Sequence, residues 1–264
     1  MKNDEIKITI ELSEVVNKCL RQIKNTTFVV EYTINAINKI KNDKFPPLQV
    51  DGLPFRIDDP ENVKVEISPK EQSMDWIMKK AFEEFVLGLT ESLIEAHRTV
   101  KLLAYAKKYQ RQKNQFQINQ DIEKINQRPL SLPFPILIDE IESELNLPLQ
   151  LSVEMKSINN LRNCLVHDNG IVNKKRLNDK VKGQLILKYI ELVVFAEKEG
   201  QIVEVKLQDK IKGFKTNRMH TQLRPKKLTF RQGDLVVINQ NLFNSISYTC
   251  VQFVQGMFDA MPKD

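Results

Sequence analysis

Arg162 and His167 stand five residues apart in the run Arg162-Asn163-Cys164-Leu165-Val166-His167, with a carboxamide between them at Asn163. A guanidinium forks onto phosphate or carboxylate oxygens, and an imidazole exchanges its proton near neutral pH. Together they make a clamp for an oxyanion with an acid or base beside it. Asn159, Asn163 and His167 follow one another at four-residue steps, so on a helix they share one polar stripe. Met155, Ile158, Leu161, Leu165 and Val166 fall on a separate apolar arc that must face a core or a partner. Arg162 projects within that arc. A guanidinium there is costly unless an anion pairs with it, which makes Arg162 a candidate ligand for phosphate.

Five residues correspond to about 140° around an ideal helix, a poor arrangement for two groups gripping one phosphate from a single helix. Two copies of the helix facing each other across a two-fold axis would bring the Arg and His of each into a shared cleft, the apolar arc doing the pairing. A homodimer is therefore expected. The competing reading is structural: Arg162 pairs with a glutamate such as Glu140 or Glu144, and His167 sits favourably at a helix C-terminus.

The elements that must position this run are mostly helical. Residues 6–40 repeat apolar side chains at three- and four-residue steps, interrupted by the β-branched run 26–32. Residues 46–68, with four prolines and one glycine, read as an extended insertion containing one short strand. Ser68-Pro69-Lys70-Glu71 is a helix start, with a capping serine, proline at the first helical position and a carboxylate three residues after the cap. The long helix after it carries Trp76, Phe82, Phe85, Leu89, Leu93 and His97, a histidine that the pattern reads as structural, packed or partly exposed, and not as a ligand. Polar residues 110–127 read as a loop or frayed helix, and helices follow at 136–147 and 152–167. Residues 185–195 fit helix or strand; 201–207, 227–231 and 235–238 read as short strands. A last amphipathic helix, capped by Asn239 or Asn241, ends the chain. The expectation is one mainly α domain over residues 1–264, a helical bundle with a β-containing insertion at 183–238.

Composition narrows the partners. A chain 41% hydrophobic and 28% charged is ordinary for a globular protein, and no apolar run is long enough to cross a bilayer. Net charge is +6, concentrated in residues 98–113, with six basic side chains and no acid, and in 206–231, with nine against Asp209. Such tracts attract polyanions, although a solvated basic face has the same composition. Three scattered cysteines, Cys19, Cys164 and Cys250, form no metal-binding or redox motif and suit a reducing, cytoplasmic setting. Met1 to Glu5 has no secretory character. No cofactor loop or metal-ligand pattern is present, so neither cofactor nor metal is expected.

The Arg162–His167 run resembles the R-x4-6-H signature of the HEPN family, a helical ribonuclease and nucleotide-binding fold, with Asn163 as the polar residue that follows the arginine. Its place near the end of a late helix, with a further helix behind it, and the exit Asp168-Asn169-Gly170 are similar to the family's motif helix. The 183–238 segment departs from the family pattern. So does Asn169, where the toxins paired with nucleotidyltransferase antitoxins carry tyrosine. The resemblance implies a homodimeric, metal-independent endoribonuclease. In it His167 is acid or base, Arg162 is the phosphate clamp, and Asn163 orients one or the other. It implies RNA contacts from Asn159, Arg98, Lys101, Lys174 and Lys175, and a toxin or phage-defence setting with an antitoxin or defence-system protein as partner. The implied alternative is a catalytically silent dimer of the same fold that binds RNA, nucleotide or a protein.

Overall fold

Ser68 starts the longest helix as its sequence predicts. Its hydroxyl accepts the Glu71 N–H at 3.2 Å while the Glu71 carboxylate reaches back to the Ser68 N–H at 3.2 Å. The computed structural model describes residues 11–39, 68–108, 115–198, 200–205 and 215–262. Its helices are α1 (Ser13–Lys39), α2 (Pro69–Lys108), α3 (Gln115–Gln127), α4 (Phe134–Leu145), α5 (Ser152–His167) and α6 (Gln240–Asp259). Between α5 and α6 lie strands β1 (Gln184–Lys198), β2 (Gln201–Val205) and β3 (Lys215–Arg231), forming an antiparallel sheet in the order β2-β1-β3. The fold is mainly helical, and no described helix is long and apolar enough to cross a membrane. The extended insertion expected at 46–68 lies, apart from Ser68, outside the described residues.

One continuous core joins the helices to the sheet. Phe82 and Phe85 of α2 meet edge to face at 4.8 Å, and Phe85 meets Phe243 of α6 at 5.4 Å. Leu185 and Leu187 of β1 and Val236 and Ile238 before α6 are buried in that same cluster. The segment between α5 and α6 therefore builds the core instead of hanging from it. The β-branched run in α1 does not break the helix, because Thr26, Val30 and Ile34 recur every four residues on the buried side. Close approach of α1 to α2 depends on Gly88, where an added Cβ would come within 2.5 Å of the Gln22 Cβ.

Two expectations change, and one open alternative is decided. Residues 115–127 form a regular helix, since Ile118, Ile122 and Ile125 make an inward stripe hidden by the glutamines and asparagines around them, with Ile118 fully buried. Residues 185–195 are strand. Residues 235–238 do not form a hairpin with 227–231: those pair with β1, through Leu187↔Leu228 and Leu185↔Phe230, whereas Leu235 bridges Ile171.

The outer edge of β1 is closed by side chains. Asn178 pairs with both backbone groups of Ile186 at 2.7 and 2.8 Å, Ser157 of α5 accepts the Lys188 N–H at 2.9 Å, and Thr249 of α6 accepts the Ile190 N–H at 3.0 Å. These are every second residue along the strand, so their N–H and C=O groups all point away from β3. Two hydroxyls thus fasten α5 and α6 to the sheet and satisfy backbone donors that water does not reach. Thr249→Val keeps the shape and strands the Ile190 N–H; urea unfolding should show a loss of about 1–3 kcal/mol.

A second clamp holds α2 against α4. His97, fully buried, contacts Glu140 at 2.8 Å; Arg128 forks onto the same carboxylate, and Lys101 pairs with Glu144 at 2.6 Å. The Arg128 hydrogen bond is the main force lowering the Glu140 pKa from 4.5 to about 2, opposed by burial and assisted by His97. A depressed carboxylate contributes stability above its unfolded pKa and loses it as pH falls through the folded value. Wild-type stability should therefore decline between about pH 4.5 and 2, and Glu140→Gln should flatten that decline in an acid titration followed by circular dichroism.

Candidate phosphate-binding and acid–base site

Helix α5 is placed by the residues it buries. Met155, Ile158, Leu161 and Cys164 are fully buried, and Leu165 nearly so, against α2, α4, α6 and β1. The apolar arc is thus spent on the chain's own core. Of the arc only Val166 stays partly exposed, so it does not offer a second copy the continuous apolar face that its sequence led us to expect. The helix ends where its sequence indicates: Asp168 and Gly170 both donate backbone N–H bonds to the Cys164 carbonyl at 3.1 Å, with Asn169 at φ 53° and Gly170 at φ 84°.

This sharp exit leaves the polar end of α5 at the surface. His167 is exposed; Asn159, Asn163 and Arg162 are partly so. Arg162 lies along the helix towards its C-terminus. Its Nη1 donates to Asn163 Oδ1 at 3.3 Å and approaches His167 Nε2 at 3.5 Å. The 140° separation is thus bridged by the length of one arginine side chain, which spans the roughly 7.5 Å rise of five helical residues. A guanidinium carries only donors, so in this contact Nε2 can act only as an acceptor.

The anion that Arg162 requires is Glu83 of α2. Its Oε1 lies 3.6 Å from Nη2, with 24% of the Glu83 side chain and 28% of the Arg162 side chain exposed. Glu140 and Glu144, the carboxylates that the structural reading named, are engaged by the α2–α4 clamp instead. Nothing in the sequence singles out Glu83, which is separated from Arg162 by most of three helices. Asp168, next to His167, accepts from Arg176 Nε at 2.5 Å and from Asn173. The Arg176 guanidinium holds the Asp168 carboxyl below the usual range, and the pair ties the chain after α5 back to the helix end.

The expected RNA-contacting residues divide. Asn159 is one turn before Asn163 on the same stripe, and Lys174 and Lys175 are exposed on a short 3-10 turn just beyond Asp168. Arg98 and Lys101 are elsewhere: Arg98 donates to Glu95 at 2.7 Å and to the Asn126 carbonyl at 3.0 Å, and Lys101 belongs to the α2–α4 clamp. They sit about 22 and 27 Å along α2 from Glu83, at 1.5 Å per residue, and are not gathered with Arg162. All three cysteines are free and buried; burial raises the Cys164 thiol on this same helix and pushes Cys19 up to about 12, so neither is a nucleophile at neutral pH. Among the described residues no group of three His, Cys, Asp or Glu could hold a metal ion.

Compared with family models, curated proteins and solved structures, the chain finds no match. The site must therefore be read from its own geometry. A partly exposed ion pair contributes little to folding. Arg162→Ala should change stability by no more than about 1 kcal/mol in urea, whereas Leu161→Ala, one residue earlier in the core, should cost about 2–5 kcal/mol.

Proposed function

We propose that this protein is a metal-independent endoribonuclease of the HEPN type, active as a homodimer. The reading is carried by one observation: Arg162 Nη1 lies within 3.5 Å of His167 Nε2 and 3.3 Å of Asn163 Oδ1 at the exposed end of α5. An oxyanion clamp, a proton-exchanging ring and an amide that touches the clamp are what transesterification of a phosphodiester requires.

A phosphodiester reaching this surface offers Arg162 charged oxygens, better acceptors than a neutral ring nitrogen. Transfer of the guanidinium from Nε2 to the phosphate frees the Nε2 lone pair. His167 then takes the proton of the RNA 2′-hydroxyl as O2′ attacks phosphorus, and the P–O5′ bond breaks. The leaving O5′ takes a proton from a second acid, a role that the partner subunit's His167 fills in a two-fold dimer. Arg162 stabilises the charge that builds on the phosphoryl oxygens, and Asn163 keeps the guanidinium aligned. The products are a 2′,3′-cyclic phosphate and a 5′-hydroxyl. A cytoplasmic toxin or phage-defence effector restrained by a protein partner is the setting this chemistry suits.

Glu83 supports a second reading. A carboxylate already beside Arg162 competes with phosphate, as in a silent dimer of the same fold that binds RNA, nucleotide or a protein without cleaving.

Labelled RNA incubated with the purified protein in EDTA should be cut, with a bell-shaped pH–rate profile. His167→Ala should lower kcat by about 10²–10⁴-fold, and Arg162→Ala should also abolish detectable cutting. Binding without cutting by the wild type selects the silent dimer; neither binding nor cutting discards both readings.

A further inference from the structure

The solvent face of the β1–β3 ribbon carries a charge arrangement that the described residues leave uncompensated. Lys188 of β1 stands directly opposite Lys227 of β3. Because Ser157 bonds the Lys188 N–H from the far side, the Lys188 backbone points away from β3. The two lysines therefore form a non-hydrogen-bonded pair, the kind in which facing side chains come closest. Like charges in that position repel. Four residues along, Gln184 faces Arg231, and the positions between are Ile186 and Thr229, so this stretch of the face carries three cations and no acid. None of the three forms an ion pair with a described residue. The opposite face of the same strands differs: there Lys226 pairs with Glu191 and Arg224 with Glu204, each at 3.2 Å.

Strand addition by a protein is hindered at both ends of the adjoining edge. By the same alternation, residues 225, 227, 229 and 231 of β3 direct their backbone groups outward. Pro225 has no N–H to offer, and the Arg231 N–H is already held by Asp234 at 2.6 Å. What remains is side-chain charge on the ribbon's exposed face. Lys227 and Arg231 are four residues apart, about 13 Å, which suits a polymer of phosphates better than a single nucleotide. The chain runs directly from the site to this ribbon. His167 leads into Asp168, which holds Asn173 and Arg176 on either side of exposed Lys174 and Lys175, and Asn178 then joins the edge of β1 at Ile186.

We propose that Lys188, Lys227 and Arg231, continued by Lys174 and Lys175, bind the phosphate backbone of an RNA strand whose scissile bond lies at Arg162 and His167. The proposal rests on the ribonuclease reading for its substrate, but it concerns a surface outside the catalytic cluster. Three contacts of this kind add about 2 to the slope of log affinity against log salt, at roughly 0.7 per single-strand phosphate.

The test uses full-length His167→Ala protein and a labelled single-stranded RNA of about 12 nucleotides, within the 4–16 of single-strand sites. Adding Lys188→Gln, Lys227→Gln and Arg231→Gln together should weaken binding at least tenfold at low salt and flatten the salt slope by about 2. In the otherwise wild-type enzyme the triple change should leave kcat on a dinucleotide unaltered. Lys227→Glu alone should raise the melting temperature, by pairing with Lys188, while it weakens RNA binding; that opposition separates a binding face from a misfolded variant. If the wild type cuts RNA but the triple variant binds it with unchanged affinity and slope, the ribbon proposal falls and the ribonuclease stands. If the wild type neither binds nor cuts RNA, the ribonuclease reading falls and takes this one with it. Binding of polyglutamate in place of RNA, lost in the triple variant, would replace the nucleic acid with an acidic protein.

Discussion

Burial of one face of α5 is the constraint on which the candidate site depends. Met155, Ile158, Leu161, Cys164 and Leu165 fix the helix among α2, α4, α6 and β1. Each large side chain among them contributes about 1.5–3 kcal/mol on leaving water. The helix therefore has little freedom to rotate or slide, and the residues it does not bury are presented in one orientation. Ser157 adds direction to this packing, because a hydroxyl bonded to the Lys188 backbone sets the height of α5 against the sheet. Arg162, Asn163 and His167 emerge at the end of a rigid element, which is where a site that must hold its geometry is best built.

Charge is distributed in two manners across the molecule. Between α2 and α4, donors and carboxylates are closely matched: His97 and Arg128 share Glu140, and Lys101 takes Glu144. That cluster reads as architecture, a partly buried network in which, among the described residues, the only buried side-chain atom without a hydrogen-bond partner is His97 Nδ1. Around α5 and the start of β1 the matching is incomplete. Arg162 has one carboxylate at 3.6 Å and a ring nitrogen at 3.5 Å, both long contacts for a guanidinium, and the exposed lysines beyond Asp168 face water. Loosely held cations at a surface are available to an incoming anion in a way that the clamped ones are not.

The local features of the site were legible from residue types alone. The helix Ser152–His167, its apolar arc, its polar stripe and its exit at Asp168-Asn169-Gly170 follow from periodicity and turn chemistry, and α5 has those bounds. The Ser68–Glu71 cap was legible for the same reason, since a cap is decided within four residues, and of the two candidates Asn239 and Asn241 it is Asn239 that caps α6. Periodicity failed where composition masked it, as with the three isoleucines of α3 among amides. It also failed in the pairing of β3, because a strand's partner depends on distant residues and not on its own pattern.

Sequence alone determined which residues travel together on α5 and which of its sides is apolar, because side-chain direction on a helix repeats every 3.6 residues whatever surrounds it. Only the tertiary structure decided that the apolar side meets the chain's own core, that Glu83 is the carboxylate beside Arg162, and that Arg162 bends along its own helix to reach His167. Those outcomes turn on which elements become neighbours and on how a long, flexible side chain settles among them. Neither is encoded in the spacing of nearby residues.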